Sequence, residues 1–97
     1  RRLHVKFLKE MIAKASTMAG LEMLRGFKPE DFELMVECSL MDVPVHEAVS
    51  MRRKMSRIAE TLSQQTSRQK ASNWANVAFN LNPDSGFSQR VGRSYNR

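Results

Sequence analysis

The chain has few of the residues that cross-link or interrupt small folds. Its 97 residues include one cysteine, three prolines, four glycines and one tryptophan. A single cysteine, Cys38, excludes an internal disulfide framework, so we expect a protein of a reducing, intracellular compartment. No run of about 18 apolar residues occurs, so we expect a chain that does not span a membrane. The first predicted helix is basic and amphipathic, but its apolar stripe has the width of an ordinary core face, so we do not expect a membrane partner. Because the first residue is Arg1 and not Met, we expect a fragment or a processed product of a longer protein.

Acidic residues are scarce in the first and last parts of the sequence, and basic residues are absent from its middle. Residues 1–28 carry seven bases and two acids, residues 29–51 carry six acids and no base, and residues 52–97 carry nine bases and two acids. The net charge of +6 therefore hides two basic segments around an acidic one. Segregated charge attracts an oppositely charged surface over roughly 8–10 Å in physiological salt. This layout indicates binding partners more than chemistry.

Patterns typical of catalytic and metal sites are also missing. His4 and His46 lie in different predicted helices, and Cys38 has no companion at CxxC or HxxE spacing. No metal site or cofactor is expected from such a set. The paired acids Glu30 and Asp31 stand at a helix start, where the helix dipole already accounts for them. We therefore predict a non-enzymatic protein.

Helical spacing of apolar residues dominates the beginning of the chain. Apolar side chains recur at steps of three and four from Leu3 to Leu24, which predicts an amphipathic helix over residues 3–25. Gly20 weakens its last turns by up to about 1 kcal/mol relative to Ala. Gly26 stands where a left-handed cap would end the helix.

The start of a second helix is marked more clearly. Pro29 suits the first helical position, and the acids after it complement the helix dipole. Residues 29–41 are therefore predicted to be helical. Phe27 and Phe32 stand five residues apart, as a hydrophobic staple requires.

A third helix is predicted over residues 43–66, with Asp42 as its N-cap. An apolar seam follows it at alternating steps of three and four. Residues 1–66 then form a helical core, a small bundle of about three helices, in a mainly α fold. A core of this size is marginal alone, so we expect a partner to complete it. The side chains predicted to be buried together are Phe7, Met11, Phe32, Met35, Val36, Met55 and Ile58.

Residues 67–97 read as a basic, Asn/Ser-rich C-terminal arm. Trp74, Val77 and Leu81 would share a helical face, but Val77, Phe79 and Leu81 also alternate as a strand would. The segment 82–86 is a strong turn signal, which keeps a hairpin open as the alternative. The arm is therefore predicted to hold a short helix or a hairpin, and to be extended or ordered on a partner.

These features predict a helical protein–protein interaction module, a subunit or fragment of a larger assembly. Self-association or a protein partner is expected. The alternative is a nucleic-acid-binding protein that contacts the phosphate backbone through basic segments interleaved with aromatic residues. The predicted partner-binding residues are Met51, Met55, Ile58, Leu62, Trp74, Phe79 and Phe87. The predicted nucleic-acid-binding residues are Arg52, Arg53, Lys54, Arg57, Arg68, Lys70, Arg90 and Arg93.

Overall fold

Five α-helices make up the part of the chain that the structure describes. The structure, a computed structural model, describes residues 2–84, with side chains from residue 5 onward. The helices are α1 (Arg2–Lys14), α2 (Met18–Arg25), α3 (Pro29–Ser39), α4 (Val45–Gln64) and α5 (Arg68–Leu81). No strand occurs within residues 2–84, so the prediction of a mainly α fold is confirmed. None of these helices combines the length and the apolar character needed to cross a membrane.

The first helix breaks where the sequence predicted one continuous helix over 3–25. The Thr17 hydroxyl donates to the carbonyl oxygen of Lys14 at 2.9 Å and accepts from the backbone N–H of Gly20 at 3.0 Å. The hydroxyl thereby caps the start of α2 and also supplies a hydrogen-bond donor to a carbonyl group at the end of α1. Apolar spacing continues across the break, which explains why periodicity alone missed it.

Gly20 allows the two short helices to approach each other. It is buried, and a Cβ at this position would overlap the carbonyl group of Lys14. Its role is therefore close packing of α2 on the end of α1. The left-handed cap predicted at Gly26 is wrong, because this residue is right-handed with φ −75°.

The predicted start of the second helix is confirmed at α3. Pro29 occupies its first position and Glu30 and Asp31 lie in the first turn. Phe27 and Phe32 meet edge to face with ring centroids 6.3 Å apart, so the predicted staple is present.

The next helix, α4, begins at Val45, two residues after the predicted start. The cap position is Pro44, in an extended conformation, and not Asp42. A proline disfavours helical backbone at the residue before it, so Val43 stays outside the helix. Pro44 is the cap residue and α4 follows it, where the missing proline N–H needs no helical partner.

The beginning of the predicted arm is a helix that belongs to the core. On α5, Trp74, Val77 and Leu81 are buried while Phe79 is 45% exposed, which is the pattern of a helix and not of a strand. The helix ends at Leu81, because Asn82 precedes Pro83 and takes an extended conformation. The core therefore continues past the boundary predicted at residue 66. Residues 85–97, including the second half of the predicted hairpin, lie outside the described residues.

One apolar cluster joins all five helices. The helix α5 packs mainly along α4 and secondly against α3, while α1 contacts α2, α3 and α4. Phe7 does not join the cluster as predicted, because its side chain is 45% exposed. The buried members are Leu8, Met11, Leu24, Phe32, Val36, Leu40, Met51, Met55, Ile58, Ala59, Leu62, Trp74, Val77 and Leu81.

Candidate interaction surfaces

Most residues predicted to bind a partner lie inside the chain's own core. Met51, Met55, Ile58 and Leu62 on α4, and Trp74 on α5, are each at most 8% exposed. The apolar seam of α4 predicted a partner because the polar composition of residues 67–97 did not indicate that α5 covers this seam. Since α5 packs along α4 and belongs to the same cluster, these residues form no part of the interface proposed below.

The remaining predicted anchors are Phe79 and Phe87. Phe79 is 45% exposed beside a groove of about 380 Å³ between α4 and α5. Its other lining residues are small or polar, among them Ser56, Glu60 and Ala75. Because its neighbours are small or polar, the exposed Phe79 ring does not form part of a large contiguous apolar patch. Phe87 lies outside the described residues.

Two of the predicted nucleic-acid contacts are engaged in ion pairs. The Arg52 guanidinium pairs with the Glu37 carboxylate and also donates to the carbonyl oxygen of Leu81 at 3.5 Å. It therefore links α4 to α3 and to the end of α5. The Arg53 guanidinium donates two hydrogen bonds, of 3.1 and 3.2 Å, to the Asp84 carboxylate.

The Arg53 pair also changes the acidity of its partner. The hydrogen bonds from Arg53 hold the pKa of Asp84 below its ordinary value. The same hydrogen bonds and the nearby negative charge raise the pKa of Arg53. Both groups are exposed to solvent, so the pair positions the end of the described chain more than it stabilises the core.

The other predicted basic residues are more accessible. Lys54, Arg57 and Arg68 are exposed, and the Lys70 ammonium donates to the carbonyl oxygen of Arg25 at 3.5 Å. Arg90 and Arg93 lie outside the described residues. The structure therefore leaves a small basic surface on α4 in place of the predicted continuous run.

An apolar groove between α1 and α2 went unpredicted. Phe7 and Met23 border it and are 45% and 48% exposed, and Met11, Leu24 and Phe27 lie between the two helices. Its volume is about 170 Å³. The Thr17 cap creates the groove by ending α1 and turning α2 back along it. The charged residues on its rim are Glu10 and Lys14. We name this surface the α1–α2 groove.

A second exposed apolar surface follows α3 and the turn after it. Leu34 is 62% exposed and Met41 is 77% exposed, with the exposed Cys38 between them. Glu30 and Asp31, also exposed, precede them at the start of the helix. These five residues are named the α3 outer face.

The described residues show no grouping suited to a metal ion. No three His, Cys, Asp or Glu side chains of residues 5–84 come together as ligands. A cleft of about 510 Å³ lies between α1 and the start of α4. Two lysines of α1, Lys6 and Lys9, line it opposite Asp42 and Glu47.

No protein family, curated protein or solved structure matches this chain.

Proposed function

We propose that the protein is a non-enzymatic helical interaction module that self-associates through the α1–α2 groove, as a subunit of a larger assembly. The observation that carries this proposal is the exposure of Phe7 and Met23 on either side of one apolar groove. Contiguous exposed apolar side chains with a charged rim are typical of protein interfaces. The single exposed cysteine, Cys38, is consistent with assembly in a reducing compartment.

The groove has room for one large apolar side chain of a second copy. An apolar cavity of roughly 150 Å³ holds a benzene molecule, and the groove measures about 170 Å³. Phe7 projects from its border, so the Phe7 ring of each copy can enter the groove of the other. Met23 supplies a flexible wall that adapts to the incoming ring.

The rim charges suit a two-fold arrangement. Glu10 and Lys14 are both exposed and lie one helical turn apart on α1. When two copies of α1 pack antiparallel, Glu10 of each copy can face Lys14 of the other. A two-fold interface requires such self-complementarity, because the same patch serves both subunits. Rim charges of this kind set orientation more than affinity.

The expected affinity is modest. A standard interface buries about 800 Å² on each partner, and two half-exposed side chains supply only part of that area. We therefore expect a dimer that forms and dissociates within the concentration range of ordinary biophysical measurements.

Sedimentation across a dilution series tests the proposal. The monomer mass is 11.1 kDa, and the unmodified chain should approach twice that mass as concentration rises. Met23→Glu should remain monomeric because it places a charge in the groove. Met18→Glu is the matched control, since Met18 lies on the same helix, is 87% exposed and does not line the groove.

The rim provides a second, independent test. Glu10→Lys should weaken the dimer by placing like charges opposite each other, and Glu10→Lys combined with Lys14→Glu should restore it. A wild-type chain that stays monomeric at the highest concentration, or a Met18→Glu variant that dissociates as readily as Met23→Glu, would refute the proposal.

The alternative proposal is contact with a nucleic-acid backbone through Lys54 and Arg57. These two exposed bases lie one turn apart on α4, and Arg68 adds a third on α5. Affinity from phosphate contacts falls steeply with salt, with a slope of roughly one unit per contact. Titration with short single-stranded and duplex DNA at two salt concentrations separates the alternatives. An absence of binding at low salt removes this one.

A further inference from the structure

The α3 outer face is an apolar stripe on an acidic helix. Leu34, Cys38 and Met41 are all exposed and follow one another at steps of four and three residues. The segment 29–51, which contains α3, carries six acids and no base. A segment that covers this face should therefore bring apolar side chains together with positive charge.

Residues 85–97 of the same chain have this composition. They include three arginines and no acid. Their largest apolar residues are spaced by four, so they can fall on one side of the segment. The residues concerned are Arg90, Arg93 and Arg97, and Phe87, Val91 and Tyr95.

The end of α5 lies beside α3. The Asn80 side-chain amide donates to the Glu33 carboxylate at 3.3 Å. The Arg52 guanidinium connects the carbonyl oxygen of Leu81 with the Glu37 carboxylate. The end of α5 therefore lies against the glutamates of α3, three residues before the described chain ends at Asp84, which pairs with Arg53 of α4.

The segment is long enough to cover that face. At about 3.3 Å per residue, its 13 residues span up to roughly 43 Å when extended. At about 1.5 Å per residue, the 11 residues of α3 span roughly 16 Å. When extended, the segment is therefore more than twice as long as α3.

The other helix near the chain end is less suitable. Arg53 on α4 already binds Asp84, and Lys54 and Arg57 are exposed on the same helix. These bases would repel the arginines of the segment, whereas Glu30 and Asp31 attract them. A covalently attached segment also meets its own α3 at an effective concentration of about millimolar.

We propose that residues 85–97 dock in cis on the α3 outer face, with Phe87 and Tyr95 against Leu34 and Met41 and with the arginines facing Glu30 and Asp31. The docked segment covers Cys38. This contact uses residues other than those of the α1–α2 groove, so a failure of self-association would not contradict docking, and a failure of docking would not contradict self-association.

Cys38 is the only cysteine and reports docking directly. Its rate of alkylation by iodoacetamide is measured on the full chain, at concentrations below those at which it self-associates. If about nine in ten molecules are docked, the thiol reacts about tenfold more slowly than when uncovered. The double substitution Phe87→Ser and Tyr95→Ser keeps the net charge and should raise the rate about tenfold. Met18→Ser, at an exposed position away from both surfaces, is the control and should leave the rate unchanged.

Charge reversal tests the proposed attraction between the arginines of residues 85–97 and the acids of α3. Asp31→Lys should raise the alkylation rate, and adding Arg93→Glu should lower it again toward the wild-type value. Glu60→Lys, the same charge change at an exposed site on α4, should have no effect. Helical content from circular dichroism confirms that α3 stays folded in each variant.

Two results would overturn the proposal. The first is equal alkylation rates for the wild-type chain and the Phe87→Ser, Tyr95→Ser variant. The second is protection of Cys38 that disappears on dilution, since a cis contact does not depend on concentration and a contact with a second copy does.

Discussion

The hydroxyl of Ser56 donates a 2.7 Å hydrogen bond to the backbone carbonyl oxygen of Ala78. Seven residues further along α4, Ser63 makes the same bond to Ala71, seven residues earlier on α5. The two bonds run in opposite chain directions, so they hold α4 and α5 antiparallel in one register. The small side chains at these positions also let the two backbones approach closely, which brings Trp74 into the core between them.

Ser56→Ala should lower the free energy of unfolding by about 1 kcal/mol, because it removes one buried hydrogen bond. Ser56→Leu should lower it further, by roughly 1–3 kcal/mol, since the larger side chain forces the helices apart. Urea denaturation measures both. Ser50→Ala is the control on the same helix, because Ser50 is exposed. If Ser56→Ala and Ser50→Ala have equal effects, the bond contributes nothing.

Trp74 is fully buried and packs edge to face on Phe32, with ring centroids 5.1 Å apart. Its indole Nε1 has no hydrogen-bond partner among residues 5–84. Trp74→Ala should lower the free energy of unfolding by about 3–5 kcal/mol through the cavity it leaves. Trp74→Phe should cost less, because both variants remove the unsatisfied donor but the phenyl ring fills most of the cavity that Ala leaves. Thermal and urea unfolding check this order, and equal costs for the two variants would show that an aromatic ring at this position does not stabilise the core.

The helical character of the fold could be predicted from the sequence where several signals agreed. At α3, a proline at the first position, acids in the first turn and the Phe27–Phe32 staple all indicate the same start. At residues 15–17 the apolar spacing indicated continuation, while the only signal for a break was Thr17 followed three residues later by Gly20. The Thr17 cap separates α1 from α2 at this point although the apolar spacing continues across it.

The error over α5 has a different cause. This helix buries Trp74, Val77 and Leu81 and is otherwise rich in Asn, Ser and Ala. Its polar composition suggested an arm, yet three large side chains on one face suffice to complete a core when α4 offers a matching seam. The α1–α2 groove was missed because helical periodicity marks an apolar stripe without telling which members a neighbouring helix covers. Phe7 and Met11 share one stripe, and only Met11 is buried.

Arg52 should act as a structural residue. The side chains of Arg52 and Glu37 are only 14% and 29% exposed, and the arginine joins three helices. Arg52→Ala should therefore lower the free energy of unfolding by roughly 1–3 kcal/mol, as expected for a charge-assisted bond whose partner stays partly buried. Arg57→Ala, at an exposed site on the same helix, should change it by less than about 0.5 kcal/mol. Urea denaturation of both variants decides, and equal effects would contradict the role proposed for Arg52.

Asp84 should titrate at lower pH than an ordinary aspartate, because the Arg53 guanidinium donates two hydrogen bonds to its charged form. A carboxyl whose pKa is depressed in the folded state adds stability above its unfolded pKa and loses it as pH falls through the folded pKa. The contribution of this pair should thus be complete at neutral pH and disappear only below the ordinary value of 3.8. Carbon-detected NMR of the Asp84 carboxyl measures the titration directly. Arg53→Ala should return the pKa to its ordinary range while Arg57→Ala leaves it depressed, and an Asp84 carboxyl that titrates alike in all three proteins would show that the pair does not persist in solution.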